Sequence, residues 1–205
     1  MNRRHFTAGL GATLLAPGAF AADLVATPSQ TEGPFYPTAF PADMDMDLVQ
    51  VRGQAARALG TVLHLQGRVL DASGKPIGAI VEVWQCDSQG LYDHPGQSGR
   101  ERRDAAFQGY GKVVTDGQSL YRFRTLKPVA YAGRSPHIHL KVATADGRQL
   151  TTQFYLAGDP QNERDFVYRD AMRDPRRRER IDMRVEPANG LEPGALATTM
   201  DIVIA

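Results

Sequence analysis

Val62-Leu-His-Leu-Gln-Gly-Arg-Val-Leu70, Asp71-Ala-Ser-Gly74-Lys-Pro76 and Ala79-Ile-Val-Glu-Val-Trp-Gln85 follow one another almost without a break. The outer two segments alternate loosely between apolar and polar residues. That is the period-two pattern of a half-buried strand, not the 3.6 period of a helix. The middle segment gathers Asp, Ser, Gly and Pro, residues that make tight turns. The pattern recurs over residues 112–115, 121–125, 138–143 and 149–155, and residues 198–204 close the chain as a last strand. Short strands with this punctuation predict an all-β fold, an antiparallel β-sandwich or barrel with little helix. One helix is expected, near residues 162–174. The run Arg176-Arg-Arg-Glu-Arg180 reads as a solvated face.

Upstream the periodicity fades. Pro28, Gly33, Pro34, Pro37 and Pro41 rule out a helix over residues 22–60. The expectation is an irregular, extended arm lying over a domain at 61–205, with Thr31-Glu-Gly-Pro-Phe-Tyr36-Pro as an ordered turn. Before the arm, Met1-Asn-Arg3-Arg4-His5-Phe6-Thr7 leads into a small, apolar run ending Ala19-Phe20-Ala21. Paired arginines ahead of such a run, with a small-x-small cleavage pattern, predict a twin-arginine export signal over residues 1–21. The mature protein would then be periplasmic or extracellular. Pro17 and the short run argue against a membrane span.

The 205 residues suit one domain, and 42% hydrophobic with 23% charged residues is ordinary for a globular chain. With 24 basic and 23 acidic residues, the net charge of +1 gives no support to nucleic-acid binding. A single cysteine, Cys86, excludes an intramolecular disulfide. Stability in an exported chain must then come from packing and metal.

Chemistry concentrates in Tyr131-Ala-Gly-Arg134-Ser-Pro-His137-Ile-His139. In a strand, the two imidazoles of His-x-His share one face about 7 Å apart and can converge on a metal ion. Of the five histidines, His5, His64 and His94 lack such spacing. Alone, the pair leaves several readings open. One is a zinc or ferrous β-barrel site with an acid such as Glu82. Another is a non-catalytic binding sandwich, in which Tyr92 and Tyr131 are ordinary sheet tyrosines and Arg134 a surface ion-pair partner. Trp84 and Cys86 read as packing residues, and Tyr36 either walls a pocket or packs the arm.

An ordered set of motifs narrows the choice. It runs Thr31-x-Gly33-Pro34-Phe35-Tyr36, then Val81-Glu-Val-Trp84-Gln85 with Gly90-x-Tyr92, then Tyr121-x-Phe123-x-Thr125-x-x-Pro128-x-x-Tyr131. Arg134-x-x-His137-Ile-His139, Thr151-Thr152-Gln153-x-Tyr155 and Gly158-Asp159 complete it. From about residue 28 to 204 the chain resembles the intradiol ring-cleavage dioxygenases of the protocatechuate 3,4-dioxygenase type. The resemblance implies Fe³⁺ held by Tyr92, Tyr131, His137 and His139. Tyr131 would be the axial phenolate that substrate displaces, opposite His139, with Tyr92 and His137 equatorial. Arg134 and Gln153 would stabilise charge developing on the ring.

Physical chemistry supports that set. Fe³⁺ is a hard, highly charged acid suited to anionic oxygen. A tyrosine titrating near pH 10 loses its proton at neutral pH when it binds a trication. Two phenolates favour Fe³⁺ over Fe²⁺, so the substrate must be the electron donor, and a chelating catechol fills that role. The implied reaction inserts both atoms of O₂ and opens the ring between the two hydroxylated carbons, giving a cis,cis-muconate type product. The short, irregular arm resembles the protocatechuate branch, which implies a homo- or hetero-oligomer.

Overall fold

The computed structural model describes residues 24–205; the predicted signal at 1–21 lies outside the described residues. Alternation in the first quoted segment becomes strand β1, Val62–Asp71, with Leu63, Leu65 and Val69 buried and Gln66 and Arg68 exposed. At its end, Asp71 Oδ1 accepts hydrogen bonds from the backbone of Ser73 and Lys75 and from the Ser73 hydroxyl. The side chain thereby closes the turn that the composition announced. Strand β2, Ala79–Trp84, follows.

The later strands are β3 (Tyr110–Val114), β4 (Leu120–Leu126), β5 (His137–Thr144) and β6 (Gln149–Leu156), followed by β7 (Asp182–Met183), β8 (Glu186–Pro187), β9 (Leu196–Thr199) and β10 (Ile202–Ile204). They form two five-stranded sheets. One runs β10-β1-β9-β8 with β4 on the other edge of β1; the other runs β3-β2-β5-β6-β7. The all-β sandwich is as predicted, and its sheets are mixed rather than purely antiparallel. Strands β9 and β10 pair with β1, and β7 with β6, in parallel.

The expected last strand is two strands, split at Met200. The Met200 carbonyl turns in toward Gly67, where an added Cβ would meet that oxygen at 1.8 Å. Only glycine permits this approach. The Tyr121 hydroxyl donates to the same carbonyl at 2.6 Å.

The helix is also shorter than expected. Helix α1, Phe166–Ala171, lies between 3-10 turns at Asn162–Arg164 and Pro175–Arg180. Pro175 disfavours helical geometry at Asp174 and stops the helix from continuing. The basic run sits in the second turn with no buried residue, a solvated face as read.

The core lies between the sheets. Leu63, Leu65, Val81, Val83, Ile138, Leu140, Val142 and Phe154 are all 0% exposed. Burying each such side chain contributes roughly 1.5–3 kcal/mol. Because side chains alternate, the core-facing Ile138, Leu140 and Val142 send His137, His139 and Lys141 to the outer face of the second sheet. Trp84 stands beside His139, Gln153 beside His139 on the other flank, and Tyr155 beside His137. The arm covers this face. Lys141 Nζ donates to Glu32 Oε2 and Gln153 Nε2 to Thr31 O on this face, while Gln30 N donates to Thr151 O of β6 and Thr27 N to Val203 O of the first sheet. Among the described residues, no helix is long and apolar enough to cross a membrane.

Candidate metal centre

Three local structures bring the expected residues together. Strand β5 supplies His137 and His139 on one face. A tight turn supplies Tyr131 and Arg134, closed by Arg134 N donating to Tyr131 O at 2.7 Å. Both central residues of that turn have positive φ, 44° at Ala132 and 78° at Gly133, as a type I′ turn demands. The loop after β2 supplies Tyr92, held by Asp87, whose Oδ1 accepts from Gln89 N and Leu91 N and whose Oδ2 accepts from Asp104 N. The two tyrosine loops touch at Gly90, where an added Cβ would lie 3.2 Å from Tyr131 Cβ.

The result is a cluster of two phenols and two imidazoles. His137 Nε2 and His139 Nε2 are 3.1 Å apart, and Tyr131 Oη is 3.4 Å from His137 Nε2. The Tyr92 ring lies edge-on to Tyr131, with centroids 5.1 Å apart, and 6.2 Å from the His139 ring. Tyr92, His137 and His139 are buried, and Tyr131 is half-buried. Trp84 stacks flat on His139 at 4.8 Å, and Phe35 stacks on Tyr92 at 4.7 Å.

His137 Nδ1 lies 2.6 Å from the Ser135 carbonyl. A carbonyl only accepts, so Nδ1 carries the proton and Nε2 keeps its lone pair for the cluster. Burial, then the charge of Arg134, lowers His137 to about 4. Burial, His137 and Arg134 push His139 well below the ordinary range. Both rings are therefore neutral donors at pH 7. Burial raises both phenols, most strongly Tyr92, so neither ionises without a bound cation.

This environment fits a metal ion. Among the described residues, Tyr92 Oη is buried without a hydrogen-bond partner. Two imidazole nitrogens facing each other can share at most one proton between them, and a cation would satisfy both. Among the described residues, no group of three or more His, Cys, Asp or Glu is placed to hold a metal. Glu82, the acid weighed for a zinc or ferrous site, instead accepts the Tyr36 hydroxyl at 2.7 Å. A set of two phenols and two imidazoles suits a hard trication better than a ferrous triad of two histidines and a carboxylate.

Around the cluster, Arg134 Nη2 donates to Gln153 Oε1 at 2.7 Å, and Gln153 Nε2 donates to Thr31 O of the arm at 2.9 Å. Tyr36 packs its ring on Trp84 and so fastens the arm. Trp84 and Cys86 are buried as expected, at 1% each, in a small cluster with Tyr92 and Tyr110 that is separate from the main core. His64 stays in β1 near Glu192, and His94 packs against Phe35. Sequence reasoning missed the stacking of Trp84 on His139 and the role of Asp165, which binds Arg134 Nε at 2.8 Å.

Residues 31–203 match the protein-family model described as Dioxygenase. Over 173 residues the chain is 35% identical to the protocatechuate 3,4-dioxygenase beta chain of Burkholderia cepacia, covering 78% of this chain and 72% of that one. It is 32% identical over 162 residues to a catechol 1,2-dioxygenase of Acinetobacter baylyi, covering 70% of this chain and 50% of that protein. Among solved structures, it resembles the dioxygenase domain of a dioxygenase carbohydrate-binding protein fusion from Streptomyces sp. SirexAA-E. That match has a TM-score of 0.67 at 29% identity and covers 87% of this chain and 97% of the other. An intradiol ring-cleavage dioxygenase from Tetranychus urticae shares the fold, with a TM-score of 0.67 at 21% identity over 88% and 94% of the two chains. Fold and relatives together define a dioxygenase. The chain belongs to the intradiol ring-cleavage dioxygenase family, as its motifs implied.

Proposed function

We propose that the chain cleaves catecholic rings at a ferric centre held by Tyr92, Tyr131, His137 and His139. The observation that carries this reading is the convergence of two phenols and two neutral imidazoles with no carboxylate among them. Fe³⁺, when bound, supplies the Lewis acidity that ionises the phenols and draws electron density from a chelating catecholate.

The chain's own residues do the rest. Ser135 and Trp84 fix the two imidazoles. Tyr92 is buried and braced by Phe35, a fixed donor. Tyr131 is half-buried, and we assign it to leave its place and take a substrate hydroxyl proton at Oη. Arg134, whose charge acts on all four donors, and Gln153 steady negative charge as it builds on the ring. Phe35 and Trp84 keep water from the donors.

The chain is similar, at 32–35% identity, to a protocatechuate, a catechol and a hydroxyquinol dioxygenase, and the substrate is sought among these three. Arg3-Arg4 and the apolar run after them support export by the twin-arginine route. Oxygen uptake with catechol, hydroxyquinol and protocatechuate under ¹⁸O₂ tests the reaction. Two labelled oxygens in a product opened between the hydroxylated carbons are expected. Opening beside the diol, or no uptake with any of the three, would contradict it.

A further inference from the structure

Arg134 is held from three directions. Its Nε donates to Asp165 Oδ2 at 2.8 Å, and its Nη2 donates to Gln153 Oε1 at 2.7 Å and Tyr155 Oη at 3.3 Å. The Phe166 ring lies 5.7 Å from its Cζ. Asp165 and Phe166, the cap and first residue of α1, thus meet the guanidinium along an edge and over a face.

Asp165 does more than cap. Its side chain is 0% exposed. Oδ1 accepts from Val167 N and Tyr168 N, the usual work of an N-cap. Oδ2 is used separately, accepting from Arg134 Nε and from Ser135 N at 2.9 Å. Capping a six-residue helix needs only the first oxygen. The second reaches 31 positions back, into the segment between Tyr131 and His137. Through Arg134 the path continues to Gln153 and on to Thr31 of the arm.

We propose that Asp165 is a positioning residue for ring cleavage: its Oδ2 fixes the Arg134 guanidinium, and through it Gln153, beside the four-donor cluster. What Arg134 does there rests on the proposed ferric reaction; that Asp165 places it does not. Without the carboxylate, Arg134 Nε loses its partner among the described residues, and the guanidinium is held only through Nη2.

The test compares Asp165→Ser and Asp165→Asn in the full-length, iron-loaded protein. Each keeps an oxygen for the helix cap and loses the charged acceptor. Iron content and visible absorption should be unchanged and KM should move little. The kcat should fall roughly 10- to 100-fold, as expected for a misplaced group. In an Arg134→Gln background the same changes should cost less than about twofold more, because the two residues act as one unit. A second readout needs no turnover. In metal-free protein the Arg134 Nε–H resonance should be protected from exchange, and Asp165→Ser should abolish that protection. An equal loss of kcat in both backgrounds, or an Nε–H signal unmoved by either variant, would overturn the proposal. If the wild-type protein opens no catechol, the ferric reading fails, and the Nε–H comparison still decides the placement.

Discussion

His137 and His139 hold their Nε2 atoms 3.1 Å apart in a buried pocket, with the Nδ1 proton of His137 given to Ser135. At that distance two neutral rings can share only one proton, and a cation held between them would take both lone pairs. Several outcomes depend on that arrangement.

The two tyrosines should behave differently. Tyr92→Phe removes a buried donor with no other partner among the described residues and should lower iron affinity by at least roughly 10- to 100-fold, the loss typical of changing even an outer-shell partner. Tyr131→Phe should leave iron bound, change its colour and cut kcat about 10²-fold or more, as for loss of a positioned acid or base. Metal analysis with steady-state kinetics separates the two. Equal iron loss in both variants would remove the distinction.

Gly90→Ala should disturb chemistry as well as stability. Gly90 has a φ of 80°, and the new methyl would lie 3.2 Å from Tyr131 Cβ. A cost of about 1–2 kcal/mol is expected from the left-handed backbone alone. Thermal denaturation and kcat should both fall. A drop in melting temperature with unchanged turnover would show that the two tyrosine loops need not touch.

Acid should destabilise the metal-free protein through His137. Its folded value is lowered from 6.5 to about 4, so the unfolded chain binds the extra proton between those values. Stability is full above pH 6.5 and drains as pH falls toward about 4. The contribution is about 3 kcal/mol, and His139 acts in the same direction. Melting curves from pH 7 to 4 should show this slope, flattened in His137→Gln. A variant with the wild-type slope would contradict the assignment.

Cys86 should be inert. It is 1% exposed, and burial followed by the charge of Asp87 pushes its thiol up to about 12. Iodoacetamide should not label the folded protein at pH 8 and should label it fully in denaturant. Rapid labelling of the native form would show that the Trp84–Tyr92 cluster opens.

Local pattern carried much of this in the sequence. The His137-x-His139 spacing placed both histidines on one face of a strand, and the Asp71–Pro76 composition announced its turn. The pairing of β9 and β10 with β1 was hidden, because it depends on Gly67 and Met200, which are far apart in the chain and make a single close approach. Tyr92 and Gln153 entered through ordered family motifs, since nothing in their immediate neighbours marks a ligand or a hydrogen-bond partner. Trp84 reads as core in any strand pattern, and only its register opposite His139 shows that it braces a donor. Asp165 looks like a helix cap, and its second oxygen acts on a residue that only folding brings near.

The central claim is that two tyrosinates and two histidines hold ferric iron. Resonance Raman spectroscopy with visible excitation of the iron-loaded protein tests it most directly. The prediction is a coloured protein with one iron per chain, showing tyrosinate vibrations from two distinct phenolates, one lost in Tyr92→Phe and the other in Tyr131→Phe. A colourless iron-loaded protein, or a spectrum without tyrosinate vibrations, would contradict the account.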